Sequence, residues 1–258
     1  MRFFVFFILT EMDEMETQTM VFTTPPVKQG EAEEEEYAYY ERVAMDLFIV
    51  VSPIILIVGL VGNSLTLIIM NRHLHRYSSV SIYLSALAIS DSLVLILDFI
   101  NNWFKYQLNL HLLKMDESFC KFHRFFFTVI FTTSSWLVLA VSFERLIAVW
   151  FPLQAKRLCT TKTARITCCV LPIVALLSYA YKIPGWHLDE VNNCNMHPRF
   201  KDFEEQVGPW LSAVLYSYLP IIILVVINGL IIFKLKRMAS KRDKMMTLTE
   251  KSSAHERR

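Results

Sequence analysis

Asp91 and Asp98 stand seven residues apart, about two helical turns, within an otherwise apolar run, and Asn101 and Asn102 continue the same stripe. An ionisable group inside a membrane span is costly to place and turns toward the bundle interior, where it often lines an ion or ligand path. The plainer use of such groups is to join helices by hydrogen bonds. For Asp91 alone both readings stay open, whereas the whole stripe favours a water-filled cavity open to the outside. A second run repeats the pattern: Cys120, Arg124, Phe127, Phe131, Ser134, Val138, Val141 and Arg145 recur every three or four residues along one helical face. At 1.5 Å per residue Arg145 lies roughly 37 Å from Cys120, so one helix reaches from one membrane surface to the other. An arginine at a helix end is often a snorkelling anchor, but the neighbouring Glu144 gains nothing from that position. Pro220, inside a later apolar run, removes a backbone hydrogen bond and should kink its helix.

Catalytic patterns are missing from the sequence. There is no His-Glu-x-x-His metal pair and no Gly-x-Ser-x-Gly elbow. The two aspartates share a helix rather than facing each other, which leaves an aspartyl dyad unsupported. Neither an internal repeat nor paired interrupted helices, the marks of many transporters, can be found. An enzyme is therefore not expected, and a transporter fragment is the weaker reading.

The elements that must carry these residues follow from hydropathy. Of 258 residues 54% are hydrophobic, which takes the chain out of the usual soluble range. Five apolar stretches, about 43–70, 82–103, 122–150, 167–183 and 210–233, come near or exceed the ~20 residues that cross a bilayer. The expected fold class is an all-α membrane bundle. The formal net charge of +2 is small, but acids crowd before Val43 and bases after Lys234. Arg72, His73, His75 and Arg76 follow the first span; Lys156, Arg157, Lys162 and Arg165 follow the third; Lys234, Lys236, Arg237, Lys241, Arg242 and Lys244 follow the fifth. The positive-inside rule puts these segments in the cytoplasm and the amino terminus outside. Simple attraction of the Lys234–Lys244 cluster to anionic lipid is an equally good reading of its main role, and no nucleic-acid partner is expected.

Topology sorts the five cysteines. Cys120 and Cys194 fall on the oxidising side, while Cys159, Cys168 and Cys169 lie at or near the reducing one. A Cys120–Cys194 disulfide is predicted, with two free thiols as the alternative. Residues 11–41 are polar, with Pro25-Pro26 and the acidic block Glu31, Glu33, Glu34, Glu35 and Glu36, and are expected to be disordered. Met1, Arg2 and the run Phe3 to Leu9 are a minimal match to a secretory signal without a clear cleavage site, so a weak signal over 1–10 stays open.

Taken together, Gly62-Asn63, Leu87-Ala88 with Asp91 in SALAISDSLVL, Cys120, the run SFERLIAVWFPL around Glu144-Arg145, Cys194 and Pro220 stand in an order that resembles rhodopsin-like (class A) G-protein-coupled receptors. The resemblance covers about Val43 to Arg237. The inner-loop wording IAVWFPLQAKRLCT is most similar to invertebrate neuropeptide receptors of the FMRFamide type. It implies an extracellular acidic tail over 1–42, a partial seven-helix domain over 43–237 that holds five of the seven helices, and a cytoplasmic third-loop segment over 238–258, all in the plasma membrane.

Residue by residue, the resemblance implies a polar core of Asn63 and Asp91, with Ser134 partnering Asp91 around a sodium ion. Arg145 would engage a heterotrimeric G protein and Glu144 would hold it while inactive. Pro220 would mark the stretch of the fifth helix that responds to agonist. A short peptide, basic to suit an acidic outer face, would contact Asp98, Asn102, Arg124, Phe127, Asp189 and Glu190. Four departures qualify the match: Leu146 replaces a tyrosine after the arginine, and Asn228 stands where many members place a tyrosine. Phe127 takes the aspartate position of amine receptors, and Pro172 falls at or near a usual tryptophan. No sixth helix with Cys-Trp-x-Pro and no seventh with Asn-Pro-x-x-Tyr follows, so the expectation is a fragment or a truncated product that does not signal alone.

Overall fold

The computed structural model describes residues 31–72, 78–108, 110–190 and 193–256. The weak signal over 1–10, the rest of the tail to residue 30, and the basic residues His73, His75 and Arg76 lie outside the described residues. The chain divides into two compact units, 1–48 and 49–258.

In the first unit the described part is helical from Glu31 onward, the start of α1 (Glu31–Met70). This corrects the expectation of disorder for residues 31–41. The physical reason lies in the acidic block itself: five glutamates at a helix amino terminus complement the partial positive charge of the helix dipole, and Glu and Ala are strong helix formers.

The second unit is built from membrane-length helices. Among the described residues five stretches are long and apolar enough to cross a bilayer: Ile49–Met70, Ser79–Lys105, Glu117–Trp150, Thr161–Gly185 and Gly208–Met246. They coincide with the five expected spans, the first starting six residues later than expected and the other four extending beyond one or both expected ends. The helix α2 covers Ser79–Leu108 and leads through a 3-10 turn, Leu112–Lys114, into α3, Glu117–Trp150. The start of α3 is fixed by Asp116, whose carboxylate accepts from the Phe119 amide at 2.9 Å. A short α4 (Pro152–Leu158) opens with proline in its first turn, where the missing N–H is harmless. Thr160 then caps α5 (Thr161–Ser178) by accepting from the Thr163 amide at 3.2 Å. That cap explains why the fourth span begins six residues before the apolar run: Lys162 and Arg165 occupy exposed positions on turns that need not be apolar.

After α6 (Lys182–Gly185) come two short antiparallel strands, β1 (Trp186–Leu188) and β2 (Cys194–Met196), with Leu188 opposite Cys194. A loop helix, α7 (Pro198–Gln206), precedes α8 (Gly208–Ala213), a π-helical turn over Val214–Tyr218, and α9 (Leu219–Glu256). The segment assigned to a third loop thus continues α9, in keeping with its Lys, Arg, Met and Ala content.

The axis of the bundle is α3. Half of its membrane window is buried, against 6% for the first span and 11% for the last. One core cluster joins Tyr83 and Leu87 of α2 to Leu137 and Val141 of α3 and Ala164 of α5. A second joins Phe125 and Val129 of α3 to Ala175 and Tyr179. Large apolar side chains elsewhere, among them Ile54, Val58, Ile222 and Val225, are exposed, as expected for surfaces whose solvent is lipid. At Gly59 a Cβ would collide with the Leu95 side chain, so the small residue is what lets the first two spans approach.

Candidate functional site

The polar and charged residues collect at three levels along α3. At its first turns Cys120 is bonded to Cys194 across 74 residues of chain, with Cα atoms 5.8 Å apart. The predicted disulfide is therefore present, and it pins the β1–β2 hairpin to the amino-terminal end of α3. Asp189 closes that hairpin: Oδ1 accepts from the Asn193 amide at 2.7 Å and Oδ2 from Asn195 Nδ2 at 2.7 Å. Its carboxylate is engaged in shaping the turn, whereas Glu190 beside it is exposed.

One turn below Cys120, the Arg124 guanidinium lies 4.9 Å from the centre of the Trp186 ring, a cation–π contact that holds β1 over the helix end. On α2, Asp98 Oδ1 accepts from Asn102 Nδ2 at 2.9 Å, and Asn101 Nδ2 donates to Asn102 Oδ1 at 3.1 Å. Asp98, Asn101 and Asn102 of the expected stripe on α2 are thus one hydrogen-bonded chain, to which Asp91 is not linked by these bonds. His123 approaches the Leu97 carbonyl through Nε2 at 3.3 Å and ties the two helices together.

Phe127 is the middle of an aromatic ladder. Its ring stacks 6.1 Å from His123 and 6.2 Å from Phe131, and Phe131 meets Tyr216 edge-on at 5.0 Å. Tyr216 belongs to the π turn that precedes Pro220. Within that turn the Leu219 amide bonds back five residues to the Val214 carbonyl. The next such bond would run from residue 220 to the Leu215 carbonyl, but proline has no N–H. Trp136 supplies the missing donor: its indole Nε1 bonds the Leu215 oxygen at 3.0 Å. The kink expected at Pro220 takes the form of this wider turn, closed by a side chain from α3.

At mid-depth the Ser134 hydroxyl donates to Asp91 Oδ1, and Asn63 is buried at 2% exposure. Asp91 and Ser134 meet as a pair.

At the far end the expected pairing of Glu144 with Arg145 does not form. Glu144 Oε1 accepts from the Ser79 hydroxyl, and no ion pair links Glu144 to Arg145 among the described residues. Consecutive helical residues point about 100° apart. Glu144 faces inward, 7% exposed, and Arg145 outward. The Ser79 hydroxyl also lies 3.4 Å from the Cys159 carbonyl, and the Cys159 thiol 4.0 Å from the Glu144 carbonyl. Burial pushes the Cys159 thiol above its ordinary pKa, and the nearby Glu144 charge adds to the rise. Trp150 joins α3 to α9 at this end, donating to the Leu230 carbonyl at 3.3 Å with Lys234 Nζ 4.8 Å over its ring.

Sequence reasoning missed three participants. Trp136 and Tyr216 carry no polar periodicity and look like core residues. The third, the ion pair of Lys182 and Glu204 at 2.6 Å, spans 22 residues between α6 and α7; Glu204 also accepts from the Tyr181 hydroxyl at 3.0 Å. Its only sequence signal is a lysine at the end of an apolar run, which reads equally well as an anchor.

Comparison with known proteins agrees with this geometry. A family model described as "7 transmembrane receptor (rhodopsin family)" matches residues 62–258. Growth hormone secretagogue receptor type 1 of Oryctolagus cuniculus is 27% identical over 198 residues, 70% of this chain and 51% of that receptor. Cysteinyl leukotriene receptor 1 of Cavia porcellus is 24% identical over 226 residues, 86% of this chain and 65% of the relative. Neuromedin-U receptor 1 of Homo sapiens is 34% identical over 116 residues, 43% and 26% of the two chains. The chain thus spans from about half to just under two thirds of the first two of these relatives, which do not single out the FMRFamide-type subgroup. With a match over most of its length, five membrane-length helices and the α3 disulfide, the chain belongs to the rhodopsin family of seven-transmembrane receptors.

Proposed function

We propose that the disulfide end of the bundle faces the outside of the plasma membrane and receives a short peptide, and that the opposite end engages a heterotrimeric G protein. The observation that carries this reading is the aromatic ladder His123, Phe127, Phe131 and Tyr216, which runs from beneath the pinned hairpin to the π turn at Pro220. A ligand against Phe127 would press on the one stretch of the fifth span whose backbone departs from α-helical pairing. Two packings of that stretch would then be shifted in population, with Arg145 and the basic stretch Lys234–Lys244 of α9 as the surface read from inside.

The peptide class rests on relatives whose names refer to a growth hormone secretagogue and to neuromedin U. Asp98 and Glu190 supply acidic groups for a basic ligand, and Asn102, Arg124 and Phe127 complete the floor. Asp189 acts indirectly, through the shape of the hairpin. Asp91 and Ser134 supply oxygen ligands suited to a sodium ion, which Asn63 would help to bury. The test is peptide-stimulated nucleotide exchange on a G protein by a seven-helix receptor that contains this segment. Asp98→Asn should lower peptide potency, and unchanged potency would remove that contact from the reading. Arg145→Ala should abolish exchange while peptide binding persists.

A further inference from the structure

Past the end of α3, α9 carries on as one α-helix to Glu256, with no proline or glycine from Leu230 onward to bend it. Trp150, the last residue of α3, meets α9 at Leu230 and Lys234. From Lys234 to Met246 the helix runs about 18 Å further at 1.5 Å per residue, and at about 100° per residue this stretch has two faces. Leu235, Met238, Ala239 and Met246 fall within roughly 100° of one another. They form an exposed apolar strip, bordered by Met245 and crossed by Arg242. Lys234, Lys236, Arg237, Lys241 and Lys244 occupy the other side.

A basic helix with an apolar strip suits either an anionic membrane surface or a protein groove with an acidic rim. The direction of α9 separates the two. A helix bound to a membrane surface lies in its plane with the apolar face sunk among the acyl chains. This strip instead continues the axis of a membrane-length helix, so it leaves the bilayer and meets water. A partner in solution is what covers it. Between Lys234 and Met246 six Lys and Arg stand against Asp243 alone, which calls for an acidic partner. Unbranched methionines, with an arginine among them, call for a soft groove that repacks around its guest. Calcium-sensing EF-hand proteins combine both, since their loops are rich in carboxylates and their methionine-rich grooves open when calcium binds.

We propose that the Lys234–Met246 stretch of α9 is a docking helix for a calcium-loaded EF-hand sensor, with Leu235, Met238 and Met246 in its groove and the basic side against its acidic rim. The proposal shares with the receptor reading only the assignment of this end to the cytoplasm. Because the sensor covers bases assigned to the G protein, the two partners would exclude one another.

The experiment titrates fluorescently labelled calmodulin with the purified full chain in nanodiscs of neutral phosphatidylcholine and reads anisotropy. It contains neither peptide nor G protein, so its failure leaves the receptor reading standing. Saturable binding in calcium is expected, weakened about tenfold or more when EGTA replaces calcium, because the closed sensor keeps its acidic charge and loses its groove. Met238→Gln with Met246→Gln, both at exposed positions, should weaken binding in calcium about tenfold or more, and Met238→Leu with Met246→Leu should keep it. Equal binding with and without calcium, or binding untouched by the glutamine pair, would reduce the contact to bulk charge and overturn the proposal. Absence of calmodulin binding would overturn it as well, and retention of the same nanodiscs on phosphatidylserine vesicles would then assign the strip to lipid.

Discussion

The indole of Trp136 donates to the backbone carbonyl of Leu215 at 3.0 Å, and that carbonyl is the one left open by the missing N–H of Pro220. The bond joins the axis of the bundle to the π turn, so it should matter for stability out of proportion to its size. In hydrocarbon no water can replace it. Trp136→Phe keeps an aromatic ring and removes the donor, and should cost about 1–3 kcal/mol. Thermal unfolding in nanodiscs reads this as a lower midpoint. Pro220→Ala in the same background restores an N–H that can close the turn and should recover part of the loss. A Trp136→Phe variant as stable as the parent would show that the carbonyl is satisfied in another way.

Among the described residues the disulfide is the only covalent cross-link to the hairpin. Cys120→Ser or Cys194→Ser should destabilise the chain by about 2–5 kcal/mol, since the bond closes a long loop. Non-reducing peptide mapping of the parent should recover one linked peptide containing both cysteines, and either serine variant should lose protease resistance first at 186–196.

A buried ion pair makes a sharper test of the loop helix α7. Lys182 is 7% exposed and its charge is met by Glu204. Glu204→Gln leaves the ammonium buried without its counter-charge and should cost about 3–5 kcal/mol. The double variant Lys182→Met, Glu204→Leu removes both charges and should regain most of that stability. Equal loss in single and double variants would mean that packing, not charge, holds α7.

Thiol chemistry reports on the opposite end. Because burial first and Glu144 second raise the Cys159 pKa, less thiolate is present at any given pH than for an ordinary thiol. With Cys168 and Cys169 replaced by serine, alkylation of Cys159 should begin at higher pH than for a small free thiol, and Glu144→Gln should move that onset back down. A profile matching the free thiol in the parent would place Cys159 in open solvent.

The parts of this fold legible in the sequence are those encoded by composition. Twenty-residue apolar runs can do little else than span a bilayer, and loop charge then sorts Cys120 and Cys194 away from the other three cysteines without any knowledge of contacts. The Asp98–Asn102 chain was legible because both residues lie on one helix at a spacing of four. What escaped depends on contacts between distant segments. Trp136 meets Leu215 across 79 residues, Ser79 meets Glu144 across 65, and no local pattern announces either. The hold of Glu144 on Arg145 was an implication of the family resemblance, whereas in this structure the helix directs the two side chains to different faces. The helix over residues 31–41 was misread because charge density was weighed and the position of that charge at a helix start was not.

Everything proposed for ligand and transducer rests on which end of the bundle lies outside. With Cys159, Cys168 and Cys169 replaced by serine, a single reporter cysteine is placed either at Lys201 in α7 or at Arg157 in α4, both exposed in the structure. Intact cells are then treated with a membrane-impermeant maleimide. Labelling of Lys201→Cys in intact cells, with Arg157→Cys labelled only after permeabilisation, is the predicted result. Labelling of Arg157→Cys in intact cells with Lys201→Cys protected would contradict it, and with it the assignment of the disulfide end to the ligand and the basic end to the G protein.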